Sequence, residues 1–139
     1  MLNNFRTVSK EISVNTTADK IWHVFINPVV SKQMGGEYIS NWKVGNSIAW
    51  KGKDGQLHTN GTILEIQPER ILKHTLYDLN DKGKLLSQIT YEFIQSGKST
   101  IIHAKEELNY DVSGEDFDDI SSGWDYALDA LRQIAESLE

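Results

Sequence analysis

The feature that most constrains this chain is its C-terminal segment. There Phe117, Ile120, Trp124, Ala127, Leu128, Leu131, Ile134, Ala135 and Leu138 recur at three- and four-residue steps. That spacing marks one face of an α-helix. Asp118, Asp125, Asp129, Arg132 and Glu136 fall largely on the other side. Ser113 with Asp116 has the S-x-x-D form that satisfies free N–H groups at a helix start, and the acidic residues of the first turn suit the positive end of the helix dipole. A helix of about 25 residues is roughly 37 Å long. An amphipathic rod of that length has to cover something apolar.

What it covers is written in the preceding residues. Val44-Gly45-Asn46, Asp54-Gly55, Gln67-Pro68-Glu69, Asn80-Asp81-Lys82-Gly83 and Ser96-Gly97 are turn chemistry. Between them, strands are predicted over Ser47–Lys51, Leu57–Ile66, Ile71–Tyr77, Ser87–Ile94 and Thr100–Leu108. Short connections between consecutive strands impose antiparallel pairing. Near the N-terminus, Ile12-Ser13-Val14 reads as a strand end, and Thr16-Thr17-Ala18-Asp19 as a capped helix start. Ile21, Trp22 and Phe25 then share a helical face until Asn27-Pro28 stops it, and a second turn fits Val29 to Gln33 before Gly35-Gly36. An antiparallel sheet with one apolar face needs a cover, and a 37 Å helix spans six or seven strands spaced about 4.8 Å apart.

Composition narrows the function classes. The 139 residues fit one domain over 1–139. The absence of cysteine excludes disulfides and thiolate metal sites, and points to a reducing compartment, the cytoplasm. Met1 to Lys10 has no apolar run to serve as a signal peptide, and no stretch reaches the length of a membrane span. The sequons at Asn15 and Asn60 therefore have no secretory context. Net charge is −6, and half of the acidic side chains fall in 107–139, against Arg132 as the single basic one there. That balance argues against nucleic acid as a partner. A solvated outer helix face accounts for it.

The ordered motifs resemble the START-like, helix-grip superfamily, and within it the domain family named for activators of the 90-kDa heat-shock protein ATPase. Ile12 to Trp22 is similar to the family's first strand and helix. Gly61-Thr62-Ile63-Leu64-Glu65-Ile66-Gln67-Pro68 looks like its Gly-x-Val-x-Glu-Ile-x-Pro hairpin, and Gly123-Trp124 with Leu128 and Leu131 matches its final helix. The resemblance implies an α+β helix-grip fold. Its parts are a curved antiparallel sheet of six to seven strands around the long C-terminal helix, and one or two short helices after the first strand. It also implies an apolar cavity between helix and sheet, and a chaperone as a possible partner. Activators from complex cells carry a separate chaperone-binding domain ahead of this one, whereas this chain begins almost directly at the first strand.

If Leu72, His74 and Leu76 point inward as the family pattern implies, His74 lines that cavity, while His103 lies outside. Two roles are open to His74: acid–base group near neutral pH, or buried polar group with a hydrogen-bond partner. Tyr91, flanked by Ile89 and Phe93, projects a phenol among apolar groups. It is either a ligand handle or a core tyrosine bonded to a carbonyl. Glu106 shares the inward parity of Ile102 and Ala104. Trp42 and Trp50 sit on the early strands, where helix-grip proteins tend to open. Trp124 belongs to the core face of the covering helix, from which one edge can reach the cavity. Phe25, Trp42, Trp50, His74, Tyr91 and Trp124 are therefore the candidate cavity residues.

Catalytic and metal motifs are lacking. The four histidines form no H-E-x-x-H and no close pair. Gly97-Lys98-Ser99 lacks the P-loop's first glycine, since Glu92 stands there. Asp78 to Ile89 lacks the calcium loop's final glutamate. No cofactor or metal is expected. The leading reading is a non-enzymatic domain that binds a small hydrophobic ligand. The alternatives are a chaperone ATPase co-factor, and a cyclase- or hydrolase-like enzyme built on His74 with Tyr91 or Glu106.

Overall fold

In a computed structural model describing residues 5–81 and 83–138, seven strands form one antiparallel sheet gripped by a long helix. Strand β1 (Thr7–Val14) leads into helices α1 (Ala18–Ile26) and α2 (Pro28–Ser31) and a 3₁₀ turn over Lys32–Met34. Strands β2 (Gly36–Ser40), β3 (Ser47–Gly52), β4 (Leu57–Gln67), β5 (Ile71–Tyr77), β6 (Leu85–Ser96) and β7 (Ser99–Leu108) follow as a meander. Helix α3 (Gly114–Ser137) closes the chain. The order β1-β7-β6-β5-β4-β3-β2 puts β1 beside β7, so the α1–α2 excursion carries the chain to the opposite rim.

The sheet is curved, and the pairing registers show where. They shift between Trp50 and Lys51, Ile63 and Glu65, and Leu76 and Tyr77. An extra residue on one strand bends it and increases its twist. The extra residues are His58 and Leu64 of β4 and Leu86 of β6, so the bending is concentrated in these two strands.

Each helix is placed by its apolar face. Helix α1 buries Ile21, Trp22, Val24 and Phe25. It stops at Asn27, whose Oδ1 accepts from Val29 N–H at 3.0 Å and so starts α2 with Pro28 in the first turn. The cap expected at Thr16 is corrected by one residue. Thr17 is the N-cap of α1, and its hydroxyl donates to the Asp19 carboxylate rather than capping a backbone N–H. Thr16 is drawn elsewhere, because its carbonyl accepts from Thr100 Oγ1 at 2.9 Å across the sheet. At α3 the expected cap forms, with Ser113 Oγ accepting from Asp116 N–H at 3.1 Å.

Helix α3 is fastened unevenly. Its buried residues, Leu128, Leu131 and Ala135, all lie in its C-terminal half. They meet Trp22 and Phe25 of α1 and Ile63, Leu72, Phe93 and Ile102 of the sheet in one core. Polar clasps add position: Lys10 Nζ reaches Asp125 at 3.0 Å, and Glu136 accepts from Asn15 N–H at 2.9 Å. Exposed pairs of this kind contribute about 1 kcal/mol or less each, so the apolar stripe supplies most of the hold. Among the described residues, no helix is long and apolar enough to cross a membrane.

Candidate ligand site

The space between α3 and the sheet is walled by aromatic rings from separate elements. Phe25 of α1 stacks on Tyr38 of β2 at 5.8 Å and meets Tyr91 of β6 edge-on at 5.1 Å. Tyr38 in turn meets Trp50 of β3 at 4.9 Å, and Tyr91 meets Trp124 of α3 at 5.6 Å. The β2–β3 register makes this possible by placing Tyr38 opposite Trp50. Edge-on and offset contacts at these distances are the favoured aromatic arrangements.

Two spaces remain. An inner pocket of about 40 Å³ lies between Phe25, Tyr38, Tyr91, Trp124, Leu128 and Leu131. That is room for a few waters at most, well below a small-molecule site. An outer groove of about 320 Å³ adjoins it. Trp50, His74, Leu76, Ile89, Ala127 and Ala130 line this groove, which shares Met34, Tyr38, Trp50, Tyr91 and Ala127 with the inner pocket. The groove exists because α3 presents alanines here rather than long side chains. Tyr126 stands at its rim, 81% exposed.

Five of the six candidate residues border these spaces. Trp50 and Tyr91 border both, Phe25 and Trp124 the inner pocket, and His74 the outer groove. Trp42 borders neither, and packs instead against Trp22 at 6.1 Å and Tyr38 at 5.7 Å. It lies outside the strands with φ +61°, a conformation unusual for a bulky residue. Sequence reasoning missed Met34, Tyr38, Ala127 and Ala130. For the alanines the signal was available: a small residue on the inner face of a covering helix leaves room beneath it.

The electrostatics keep the groove neutral. Burial pushes the Tyr91 phenol well above its usual pKa, with the adjacent Tyr38 adding to the shift, and burial raises Tyr38 too. Burial also holds the His74 imidazole below its usual value, outweighing the Thr75 carbonyl and the Glu106 charge that favour protonation. His74 Nδ1 lies 2.9 Å from Thr75 O. Glu106 is committed at both oxygens, accepting from Trp124 Nε1 at 2.8 Å and from Ser87 Oγ at 2.6 Å. His103 is on the other face, against Ser9 Oγ at 2.9 Å. Among the described residues, no three His, Cys, Asp or Glu side chains gather to hold a metal.

The buried neutral histidine has a consequence for stability. In the unfolded chain His74 protonates near its ordinary value of 6.5, whereas in the fold it protonates only at lower pH. The unfolded state therefore binds the proton first, and stability falls as pH drops below about 6.5. One proton can contribute a slope of at most about 1.4 kcal/mol per pH unit. Urea melts between pH 7.5 and 5.5 are expected to show this loss in the parent chain and not in His74→Gln. Parallel curves for the two would remove the buried neutral histidine from the account.

Comparison with known proteins follows the architecture. A family profile described as activator of Hsp90 ATPase homologue 1-like protein matches residues 15–136. Sequence comparison with curated proteins gives no match. The crystal structure of protein MLL2253 from Mesorhizobium loti superposes with a TM-score of 0.80 at 17% identity, over 96% of this chain and 99% of that one. CalU16 from Micromonospora echinospora gives 0.75 at 18% identity, over 96% and 78%. The solution structure of the Aha1 dimer from Colwellia psychrerythraea gives 0.77 at 12% identity, over 95% and 97%. At these identities the likeness is one of fold, and it places the chain's architecture with the helix-grip proteins.

Proposed function

The chain belongs to the family of activator of Hsp90 ATPase homologue 1-like proteins, and from that premise we propose that it is a non-enzymatic binding domain, acting in the cytoplasm, which holds a small apolar ligand between α3 and the sheet. The observation carrying this reading is the groove of about 320 Å³ bordered by Trp50, Tyr91, Leu76 and Ile89. Its size is that of small-molecule sites, and its walls are mostly apolar with a few convergent polar groups. An enzymatic reading finds less support. His74 keeps an unpartnered Nε2, but both oxygens of Glu106 accept hydrogen bonds and the Tyr91 hydroxyl is engaged with Tyr38, so no second free acid or base is paired with it in the groove.

The test is a titration with a neutral naphthalene dye, read through dye emission and quenching of tryptophan fluorescence. One saturable site per chain is expected. Ala130→Phe, which fills the groove from a half-buried helix position, is expected to weaken binding at least tenfold. Non-saturable binding, or equal binding by Ala130→Phe, would defeat the reading.

A second reading, assistance to the 90-kDa heat-shock ATPase, is favoured by the family description matched over residues 15–136. It differs in its observable, the ATPase rate of that chaperone, which a domain that only holds a ligand leaves unchanged.

A further inference from the structure

Polar side chains inside this protein are almost all paired. Thr100 Oγ1 donates to the Thr16 carbonyl at 2.9 Å, and Ser87 and Trp124 both donate to Glu106. Among the described residues, His74 Nε2 is the one buried side-chain nitrogen or oxygen without a partner. A buried acceptor left unpaired is costly, and His74 lines the outer groove, so a ligand hydroxyl that parts the side chains covering Nε2 can make the missing bond.

The chemistry of that atom follows from its neighbours. The Thr75 carbonyl can only accept, so the Nδ1 placed 2.9 Å from it carries the proton and donates. The ring is 4% exposed and held neutral by burial, which leaves a bare lone pair on Nε2. The surroundings supply no donor. Leu76 and Ile89 are hydrocarbon, the Tyr91 ring stacks on the imidazole at 6.5 Å, and the Tyr91 hydroxyl is engaged with Tyr38. No cationic side chain lines the groove, and the charge His74 feels is that of Glu106. An anionic ligand would therefore be desolvated there without compensation.

On the reading of this groove as an apolar-ligand site, we infer that its ligand is an uncharged ring compound of the phenol or alcohol class, whose hydroxyl donates a hydrogen bond to His74 Nε2. The apolar body lies between Trp50, Tyr91 and the alanines of α3. The hydroxyl fixes its orientation, and the lack of a cation excludes carboxylates of the same size. The site also discriminates against the ether analogue, because an ether leaves the acceptor buried and unpaired.

The experiment is calorimetric titration of the full chain with 2-naphthol, 2-methoxynaphthalene and 2-naphthoate. Naphthol is expected to bind at least tenfold tighter than its methyl ether, with naphthoate weakest. In His74→Leu the naphthol-to-ether ratio is expected to fall to about one while ether binding persists. Should that variant not fold, the unmodified protein still reports: the ¹⁵N resonance of His74 Nε2 is expected to shift with naphthol and not with the ether. Equal affinities for naphthol and ether would overturn this inference and leave the groove reading standing. Binding of neither would overturn both. A preference for naphthol that survives His74→Leu, or that leaves the Nε2 resonance unmoved, would place the donor contact elsewhere and overturn the inference.

Discussion

Gly61→Ala is expected to destabilise the protein by about 3 kcal/mol or more, an unusual loss for the addition of one methyl group. A Cβ at this position would lie 1.8 Å from the Thr75 carbonyl oxygen and 2.8 Å from its carbon. Both are backbone atoms of the neighbouring strand, so no side chain can swing aside. Here β4 changes partners: residues up to Thr62 pair with β3, and from Ile63 onward the strand pairs with β5. Thr75 bridges the change, its Oγ1 accepting from Thr62 N–H at 2.9 Å while its carbonyl accepts from His74 Nδ1. Moving that carbonyl disturbs the sheet and the histidine together. The expected readout is a fall in melting temperature of about 10 °C, together with loss of naphthol selectivity in whatever remains folded. A loss below 1 kcal/mol would mean that the two strands do not approach so closely.

Leu131→Ala is expected to cost about 3 kcal/mol, within the range of about 2–5 kcal/mol found for buried leucines. Leu131 is 3% exposed on the firmly held half of α3 and borders the inner pocket with Phe25 and Leu128. Truncation removes packing and enlarges a space that is already present. Dry apolar cavities of sufficient size accept benzene. Saturating benzene is therefore expected to restore at least 1 kcal/mol to Leu131→Ala and little to the parent chain, by mass action on the folded state. Urea unfolding with and without benzene measures both effects. A variant as stable as its parent would mean that the helix stripe does not grip the sheet.

The large elements were legible because each depends on chemistry close in sequence. Ser113 and Asp116 are three residues apart, the α3 stripe has its own period, and β5 runs over Ile71–Tyr77 as its alternation predicts. Gly45, Gly55 and Gly97 all take positive φ in turns that their neighbours announce. Misjudged details had rivals distant in the chain. Thr16 and Thr17 offer the same hydroxyl for a cap, and the Thr16 backbone, held by Thr100 on another strand, stays outside the helix that begins after Thr17. The site was harder still. Alternation along a strand carries His74 and Tyr91 inward, but Trp42 sits in a connection whose positive φ breaks that alternation. Tyr38 reaches the groove only because β2 pairs with β3 in one particular register. The bare Nε2 depends on which partner Nδ1 finds, and no spacing rule carries that information.

The sheet has two open rims, and neither suits a further strand. On one side β2 has only five residues, with Gly36 at its start and Glu37 drawn to Lys32 at 3.6 Å. On the other, β1 carries Lys10 and Glu11 at its middle, with Lys10 tethered to α3. Short or charged rims deter edge-to-edge polymerisation, the standing hazard of an unclosed β-structure. The same lysine that clasps the helix thus also helps keep neighbouring molecules from zipping together, and a chain free of that hazard can hold its greasy interior ready at high concentration.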